Sequence, residues 1–186
     1  MPQATLITPR QLAARLEDRE LAVIDCRFEL ARPDWGREAY ASARIPHALY
    51  AHLDHDLSGK TSACTGRHPL PPVDALAARL GQWGIDAGVQ VVAYDQGPGA
   101  HAARLWWLLR WLGHTKVAVL DGGLAAWQAE KLPLDTAPIV GERPARAPRR
   151  FEARPDEEMV VTTAELEGVV ASGLLACADL VLIDAR

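Results

Sequence analysis

The fold is decided by one stretch of the chain, which reads Val89-Gln90-Val91-Val92-Ala93-Tyr94-Asp95-Gln96-Gly97-Pro98-Gly99-Ala100. Its first six residues are mostly apolar and rich in β-branched valine, which predicts a buried strand. The residues from Asp95 to Gly99 predict a tight loop because two glycines and a proline lie within it. From Ala100 to Leu112, leucine and tryptophan recur at helical spacing. The stretch therefore predicts a strand, a tight loop and a helix in succession.

The same alternation of strands and helices extends in both directions from this stretch. Residues 28–72 are irregular, rich in His, Gly and Pro, and predict only a short strand around Ala48 to Tyr50. Strands alternating with helices indicate an α/β fold with a central parallel sheet flanked by helices. The other predicted elements are a helix from Thr8 to about Arg19, a strand at Leu21–Ile24, a helix from Val73 to Trp83, a strand at Val117–Leu120 and a helix from Leu124 to Lys131.

Composition excludes several classes of protein. The 186 residues are 49% hydrophobic and 24% charged, as in a soluble globular protein. The longest uncharged stretch, Gly168 to Ala178, is shorter than the ~18 residues that suggest a membrane span. The net charge of -4 argues against nucleic acid as a partner. No secretory signal precedes the first helix, so we expect a cytoplasmic protein.

The cysteines predict neither a metal site nor a disulfide framework. There are three, Cys26, Cys64 and Cys177, at wide spacings and with no Cys-x-x-Cys pair. His47, His52 and His55 lie close to Asp54 and Asp56 in the sequence, but their spacing matches no strong ligand pattern, so we expect hydrogen-bonded or solvated histidines. We expect no metal and no cofactor.

The loop from Asp95 to Ala100 has the layout of an anion cradle. Backbone N–H groups of such a loop and of the following helical turn converge, and the helix dipole adds positive potential. An ordinary strand-to-helix turn explains the spacing of Asp95, Gln96, Gly97, Pro98, Gly99 and Ala100 equally well. A Cys at the first loop position would be a stabilised thiolate nucleophile. Asp95 stands there instead, so we expect its own carboxylate to occupy the cradle and to repel anionic substrates.

The opening of the chain is repeated near its end. Thr162-Thr163-Ala164-Glu165 repeats the helix-capping box of Thr8-Pro9-Arg10-Gln11, and the stretch from Leu180 to Arg186 repeats the one from Leu21 to Arg27. We therefore expect a domain at 1–137, a linker at 138–158 and, at 159–186, the truncated start of a second copy, which is too short to form its own core. An Arg cluster at 143–154 is compatible with an anion site, but a solvated linker lying against a domain is the favoured interpretation.

Taken together, the motifs resemble the rhodanese family, in particular its tandem-domain thiosulfate/3-mercaptopyruvate sulfurtransferases. The resemblance implies an α/β domain with a central parallel sheet, in two copies, of which the N-terminal one usually has Asp in place of the catalytic Cys. Many members carry Gly-His-Ile-Pro-Gly-Ala where this chain has Ala43 to Ala48. The matching segments are Val23 to Phe28, Ile45 to Ala48, Gly66 to Pro71, Tyr94 to Gly97, Ala103 to Trp107, Gly113-His114 and Val119 to Trp127.

The resemblance also implies a reaction. In the family, a Cys thiolate takes a sulfane sulfur from thiosulfate or 3-mercaptopyruvate, holds it as a persulfide and passes it to a thiol or cyanide. By resemblance that nucleophile lies in the second copy beyond Arg186, so this chain carries no catalytic residue and is expected to be inactive alone. Arg186 corresponds to a residue that helps to bind the anionic donor, although a strand-end Arg paired with a carboxylate is an equal alternative. A contact between the two copies is also implied.

Two other functions remain open from the sequence. The first is a free-standing, non-catalytic rhodanese-like module that binds or regulates a partner. The second is a thiol enzyme that uses Cys64, which lies near Arg67. A phosphatase-type Cys-x5-Arg motif would need Arg at position 70, where Leu70 stands, so the Cys64 reading is the less favoured.

Overall fold

The computed structural model describes residues 5–139, 146–172 and 181–183. The chain divides into two compact units, residues 1–155 and 156–186. None of the described helices has the length and apolar character that crossing a bilayer requires.

The first unit is built on a five-stranded parallel sheet with the order β1-β5-β4-β2-β3. This confirms the predicted α/β fold with a central parallel sheet flanked by helices. The strands are β1 (Leu6–Ile7), β2 (Leu21–Asp25), β3 (Leu49–Tyr50), β4 (Gln90–Tyr94) and β5 (Val117–Leu120), and the helices are α1 (Pro9–Ala13), α2 (Trp35–Ser42), α3 (Val73–Gln82), α4 (Ala100–Trp111) and α5 (Gly123–Ala129).

The core lies around the three central strands. Every residue of β2 and β5 is buried, as their continuous apolar runs predict for strands covered on both faces. The register places Asp25 beside Tyr94, so β2 and β4 end together at one edge of the sheet. Trp127 of α5 is fully buried and donates its indole N–H to the carbonyl of Pro133 at 2.9 Å. The loops that follow β2 and β4 therefore meet on a rigid platform.

Two helices differ from the prediction. α1 ends at Ala13 rather than near Arg19, and the following turn is held by Asp18, which accepts bonds from the Arg15 side chain and the Glu20 N–H. α2 was not predicted at all. Its N-cap, Asp34, is of a residue type that often begins helices, but it makes no side-chain capping bond here.

The segment expected to be a linker lies against the first unit from residue 146 to residue 154, which we call the strap. The Arg149 N–H donates to the Gly81 carbonyl at 2.9 Å, and the Arg154 N–H donates to the Leu112 carbonyl at 3.0 Å. Arg149 also pairs with Glu20 at 2.9 Å and with Asp86 at 3.1 Å. The first unit consequently extends past residue 137 to residue 155.

Glycines make room for the strap. A Cβ added to Gly81 would lie 2.6 Å from the Arg149 carbonyl oxygen. One added to Gly84 would lie 2.6 Å from the Cβ of Arg146, and one added to Gly113 would lie 3.1 Å from the carbonyl oxygen of Arg154. The strap backbone therefore approaches the unit more closely than side chains at these positions would permit.

The second unit contains a 3-10 turn at Glu157–Met159 and helix α6 at Thr163–Ala171. The predicted capping boxes are confirmed at both helix starts, with Thr162 and Glu165 bonded reciprocally in α6 and Thr8 and Gln11 in α1. Residues 181–183, which belong to the strand predicted for the second domain copy, are exposed and form no strand. The remaining residues of that predicted strand, including Arg186, lie outside the described residues, and the second domain copy stays a prediction.

We expect the change Gly81→Ala to lower the free energy of unfolding by about 1–3 kcal/mol, because the added methyl group would collide with the strap backbone. In a helix without that contact, the same change would stabilise by about 1 kcal/mol. Chemical denaturation measures the difference. Gly168→Ala in α6 is the matched control, because a Cβ on that helical glycine meets nothing within 4 Å. A stabilised Gly81→Ala variant would contradict the packing of the strap on α3.

Candidate anion cradle

The candidate site is the loop that joins β4 to α4. Asp95 directly follows the last residue of β4, and Gly99 is the N-cap of α4 with a positive φ of 84°. That left-handed conformation favours glycine, because it lets the chain turn sharply into the helix without strain. Gln96, Gly97 and Pro98 form the turn between them, and Ala100 begins the helix.

The carboxylate of Asp95 lies inside this loop and is fully buried. Its Oδ1 accepts the N–H groups of Gly97 at 2.9 Å and Gly99 at 3.0 Å. Its Oδ2 accepts the N–H groups of His101 at 3.0 Å and Ala102 at 3.3 Å. These donors include the otherwise unpaired N–H groups of the first helical turn, whose dipole also favours a negative charge. The loop is thus an anion cradle in which Asp95 supplies the anion.

A second glycine turn supports the cradle from behind. Gly123 has a positive φ of 56°, and a Cβ there would lie 2.7 Å from the Asp95 carbonyl oxygen and 3.0 Å from the Gly97 nitrogen. The Leu124 N–H donates to the same Asp95 carbonyl at 2.9 Å. The Asp121-Gly122-Gly123-Leu124 sequence therefore anchors α5 against the cradle, a role that its composition alone did not reveal.

The charged residues at the end of β2, Asp25 and Arg27, form an ion pair with each other. Asp25 accepts bonds from the Arg27 Nε at 2.9 Å and Nη2 at 2.7 Å, and from the Tyr94 hydroxyl at 2.7 Å. Arg27 also donates to the Ala43 carbonyl. Burial raises the pKa of Asp25, while its bonds from Arg27 oppose that shift. The pair lies at the edge of the sheet where β2 and β4 end. Most of its hydrogen-bond donors and acceptors are already engaged by partners within the protein.

Three histidines surround Phe28, close to the cradle. Its ring centroid lies 5.4 Å from that of His52, 6.2 Å from that of His68 and 5.7 Å from that of His101, each in an edge-on arrangement. We call these four residues the histidine collar. His101 belongs to α4, whereas His52 and His68 come from the irregular segment after β3. Because these histidines lie far apart in the sequence, their spacing does not predict the histidine collar.

Polar atoms around the collar retain unused hydrogen-bonding capacity. The Nε2 of His52, the Nδ1 of His101 and the Oε1 of Gln96 are buried and have no partner among the described residues. Gln96 is tied to the collar because its amide donates to the Phe28 carbonyl at 3.1 Å. Such atoms are usually satisfied by ordered water or by a ligand.

The candidate metal ligands of the irregular segment make contacts in pairs. His52 stacks on His55 with 4.2 Å between centroids, and His68 contacts Asp54 at 3.0 Å. Across the described part of the chain, no group of three His, Cys, Asp or Glu side chains could hold a metal ion.

Two of the three cysteines, Cys26 and Cys64, belong to the described residues, and both are free thiols. Cys64 is exposed, in a turn where the Thr65 hydroxyl bonds Ser62. Cys26 is buried, and burial followed by the charge of Asp25 raises the pKa of its thiol, which disfavours a thiolate. Cys177 lies outside the described residues.

We expect stability to fall as the pH drops below about 6.5, because burial lowers the pKa of His52, His101 and His114 in the folded state. Below that pH the unfolded chain binds more protons than the folded one, so protonation favours unfolding. Above about pH 6.5 these histidines are neutral in both states, so their protonation no longer lowers the free energy of unfolding. Denaturant titrations between pH 5 and 8 measure the slope.

The change His52→Gln should make the unfolding free energy depend less steeply on pH, because it removes up to one proton from the difference in protons bound by the unfolded and folded chains. His47→Gln is the control, because the His47 side chain is 60% exposed. Equal slopes for the two variants would show that His52 does not contribute to the pH dependence.

Comparison with known proteins identifies the family. Residues 8–130 match the model of the rhodanese-like domain. The curated protein named "Probable 3-mercaptopyruvate sulfurtransferase" from Pseudomonas aeruginosa is 46% identical, over 100% of this chain and 63% of that protein. The 3-mercaptopyruvate sulfurtransferase of Escherichia coli K12 is 34% identical, over 69% of this chain and 45% of its own length. The chain therefore spans between about half and two thirds of these relatives.

Solved structures agree with the sequence comparison. The crystal structure of SseA from Escherichia coli, described as a 3-mercaptopyruvate sulfotransferase, superposes with a TM-score of 0.77 at 27% identity, covering 92% of this chain and 63% of SseA. A 3-mercaptopyruvate sulfurtransferase from Leishmania major gives a TM-score of 0.74 at 29% identity, covering 84% of this chain and 42% of that one. On the matched domain and the shared fold, the chain belongs to the rhodanese family.

Proposed function

We propose that this chain forms the non-catalytic rhodanese-like domain of a sulfurtransferase, whose nucleophilic Cys lies in a second rhodanese-like domain. The observation that carries the proposal is the position of Asp95. Its carboxylate holds the cradle where a nucleophilic thiolate would otherwise be stabilised. The same proposal includes a cytoplasmic location and a contact between the two domains.

The proposed reaction is the transfer of a sulfane sulfur. The thiolate attacks the outer sulfur of thiosulfate, the S–S bond breaks, and sulfite leaves with the bonding electrons. With 3-mercaptopyruvate the C–S bond breaks instead, and the departing pyruvate enolate takes up a proton. The resulting persulfide then gives its outer sulfur to cyanide or a thiol, which regenerates the thiolate. A cradle of N–H groups stabilises the anionic sulfur at each stage.

Asp95 prevents this chemistry in the present cradle. A carboxylate oxygen forms no persulfide, and its buried negative charge repels an anionic donor from the N–H groups that it already occupies. The surrounding loop has the shape of an anion cradle, so we attribute the lack of catalysis in this domain to the side chain at position 95.

The relatives support a second domain. The chain covers 63% of the Pseudomonas aeruginosa protein while aligning over its own whole length, so that relative has further sequence. Arg186 is proposed to help to bind the anionic donor together with that further domain. A thiol or cyanide would serve as the acceptor.

The 186-residue chain should form no thiocyanate above background from cyanide and either thiosulfate or 3-mercaptopyruvate. Colorimetric detection of thiocyanate provides the assay, and the Cys64→Ser variant is run in parallel. Turnover by both proteins would refute a non-catalytic chain, whereas turnover lost only in Cys64→Ser would favour the Cys64 enzyme. A stable complex with a partner protein, with no turnover in any longer natural form, would favour the binding module.

The cradle itself is tested by Asp95→Cys. We expect the introduced thiol to titrate below the usual value of about 8.5, because the N–H groups released by Asp95 stabilise the thiolate. Thiolate absorbance at 240 nm against pH, after subtraction of the unsubstituted protein, measures the titration without requiring reagent access. Glu17→Cys is the control, because the Glu17 side chain is 94% exposed. Equal midpoints would show that the loop does not stabilise an anion.

A further inference from the structure

A cavity lies at the end of the sheet opposite the Asp95 cradle. Its volume is about 470 Å3, within the range of sites for small molecules. The first three residues of β2, Leu21 to Val23, form part of its wall, whereas the cradle follows the last residue of β4. Arg146, Ala147 and Arg149 of the strap form another part. The cavity is therefore separate from the Asp95 cradle.

Two strap arginines line this cavity, and they differ in their partners. Arg149 is neutralised by Glu20 and Asp86. Arg146 donates its Nη1 to the Leu21 carbonyl at 2.7 Å, but no carboxylate of the described residues lies within 4.0 Å of its guanidinium. Its Nε is buried without a partner among those residues. Burial, followed by the nearby charge of Arg149, lowers the pKa of Arg146, whereas the carboxylates of Glu20, Asp86 and Asp18, which make no ion pair with it, raise that pKa. Among the described residues, the pocket thus holds a cation that has no carboxylate in direct contact.

The acidic residues of the cavity do not supply that anion. Asp18 accepts bonds from the Arg15 side chain and the Glu20 N–H. Glu17 is 94% exposed, and its nearest ion-pair partner is His47 at 3.5 Å. Arg19 adds a further positive charge to the lining. The lining thus carries three arginines against two carboxylates, and it leaves Arg146 available to pair with an anionic ligand.

Apart from His47, the rest of the wall is apolar. Leu16, Leu21, Val23 and Leu49 line the cavity beside the arginines. An inorganic anion would pair with Arg146 but would gain nothing from these side chains. A ligand with an anionic head and an aliphatic body would satisfy both parts of the wall, and a carboxylate matches the planar guanidinium through paired hydrogen bonds.

We propose that this cavity binds a short aliphatic carboxylate, with the carboxylate on Arg146 and the aliphatic body against the leucines. Arg146 fixes the orientation of the ligand, and the apolar wall provides selectivity over inorganic anions. Because the strap supplies Arg146, the site exists only where the strap is packed on the domain.

Isothermal titration calorimetry of the whole chain with 3-methylbutanoate tests the proposal. Arg146→Gln should weaken binding at least tenfold, since it removes the charge that pairs with the carboxylate. Arg150→Gln, an exposed strap position, should leave the affinity unchanged. The uncharged 3-methylbutan-1-ol and inorganic sulfate should each bind at least tenfold more weakly than the carboxylate.

A second variant keeps the test valid if Arg146→Gln disturbs the strap. Ala147 is exposed and lines the cavity, so Ala147→Trp should fill the space and also weaken binding at least tenfold. Circular dichroism and thermal unfolding check that both variants are folded. Absence of binding to the unsubstituted chain, equal losses in Arg146→Gln and Arg150→Gln, unchanged affinity in Ala147→Trp, or equal binding of sulfate would each overturn the proposal.

Discussion

The charge of Asp95 is held by backbone N–H groups alone, and much of the first unit is arranged around that interaction. Four donors converge on one buried carboxylate, which requires the left-handed glycine before α4. The close approach of Gly123 fixes the loop from the other side. A buried carboxylate is tolerated only when it is fully hydrogen-bonded. The loop, the start of α4 and the start of α5 must therefore keep their present positions together.

Buried polar groups of the first unit fall into two kinds. Asp25 and Arg27 satisfy each other within the end of β2 and give the edge of the sheet a fixed shape. His52 and His101, by contrast, each keep a buried ring nitrogen without a partner among the described residues. The first kind stabilises the platform, and the second leaves recognition capacity beside the cradle. One edge of the sheet thus combines a fully hydrogen-bonded ion pair with nearby histidine nitrogens that have no partner among the described residues.

How much the sequence predicts depends on the range of the interactions. β2, β4 and β5 were predicted because each is a continuous apolar run, and the Asp95 loop because its bonds join residues at most seven apart. For the strap, the sequence predicts a linker lying against a domain, because its Arg and Pro residues show no apolar period. It does not predict which residues the strap contacts, because those contacts depend on distant glycines such as Gly81. The histidine collar also depends on long-range packing. Local patterns therefore identified the cradle but not its surroundings.

The sheet ends on both sides in strands of only two residues, β1 and β3. Edge strands offer unpaired backbone groups to other chains, and very short ones leave little length on which a foreign strand can add. The long apolar strands β2 and β4 are each paired on both sides within the sheet. The order of the strands thus protects the most aggregation-prone segments of the chain from pairing with neighbouring molecules, in addition to positioning the cradle.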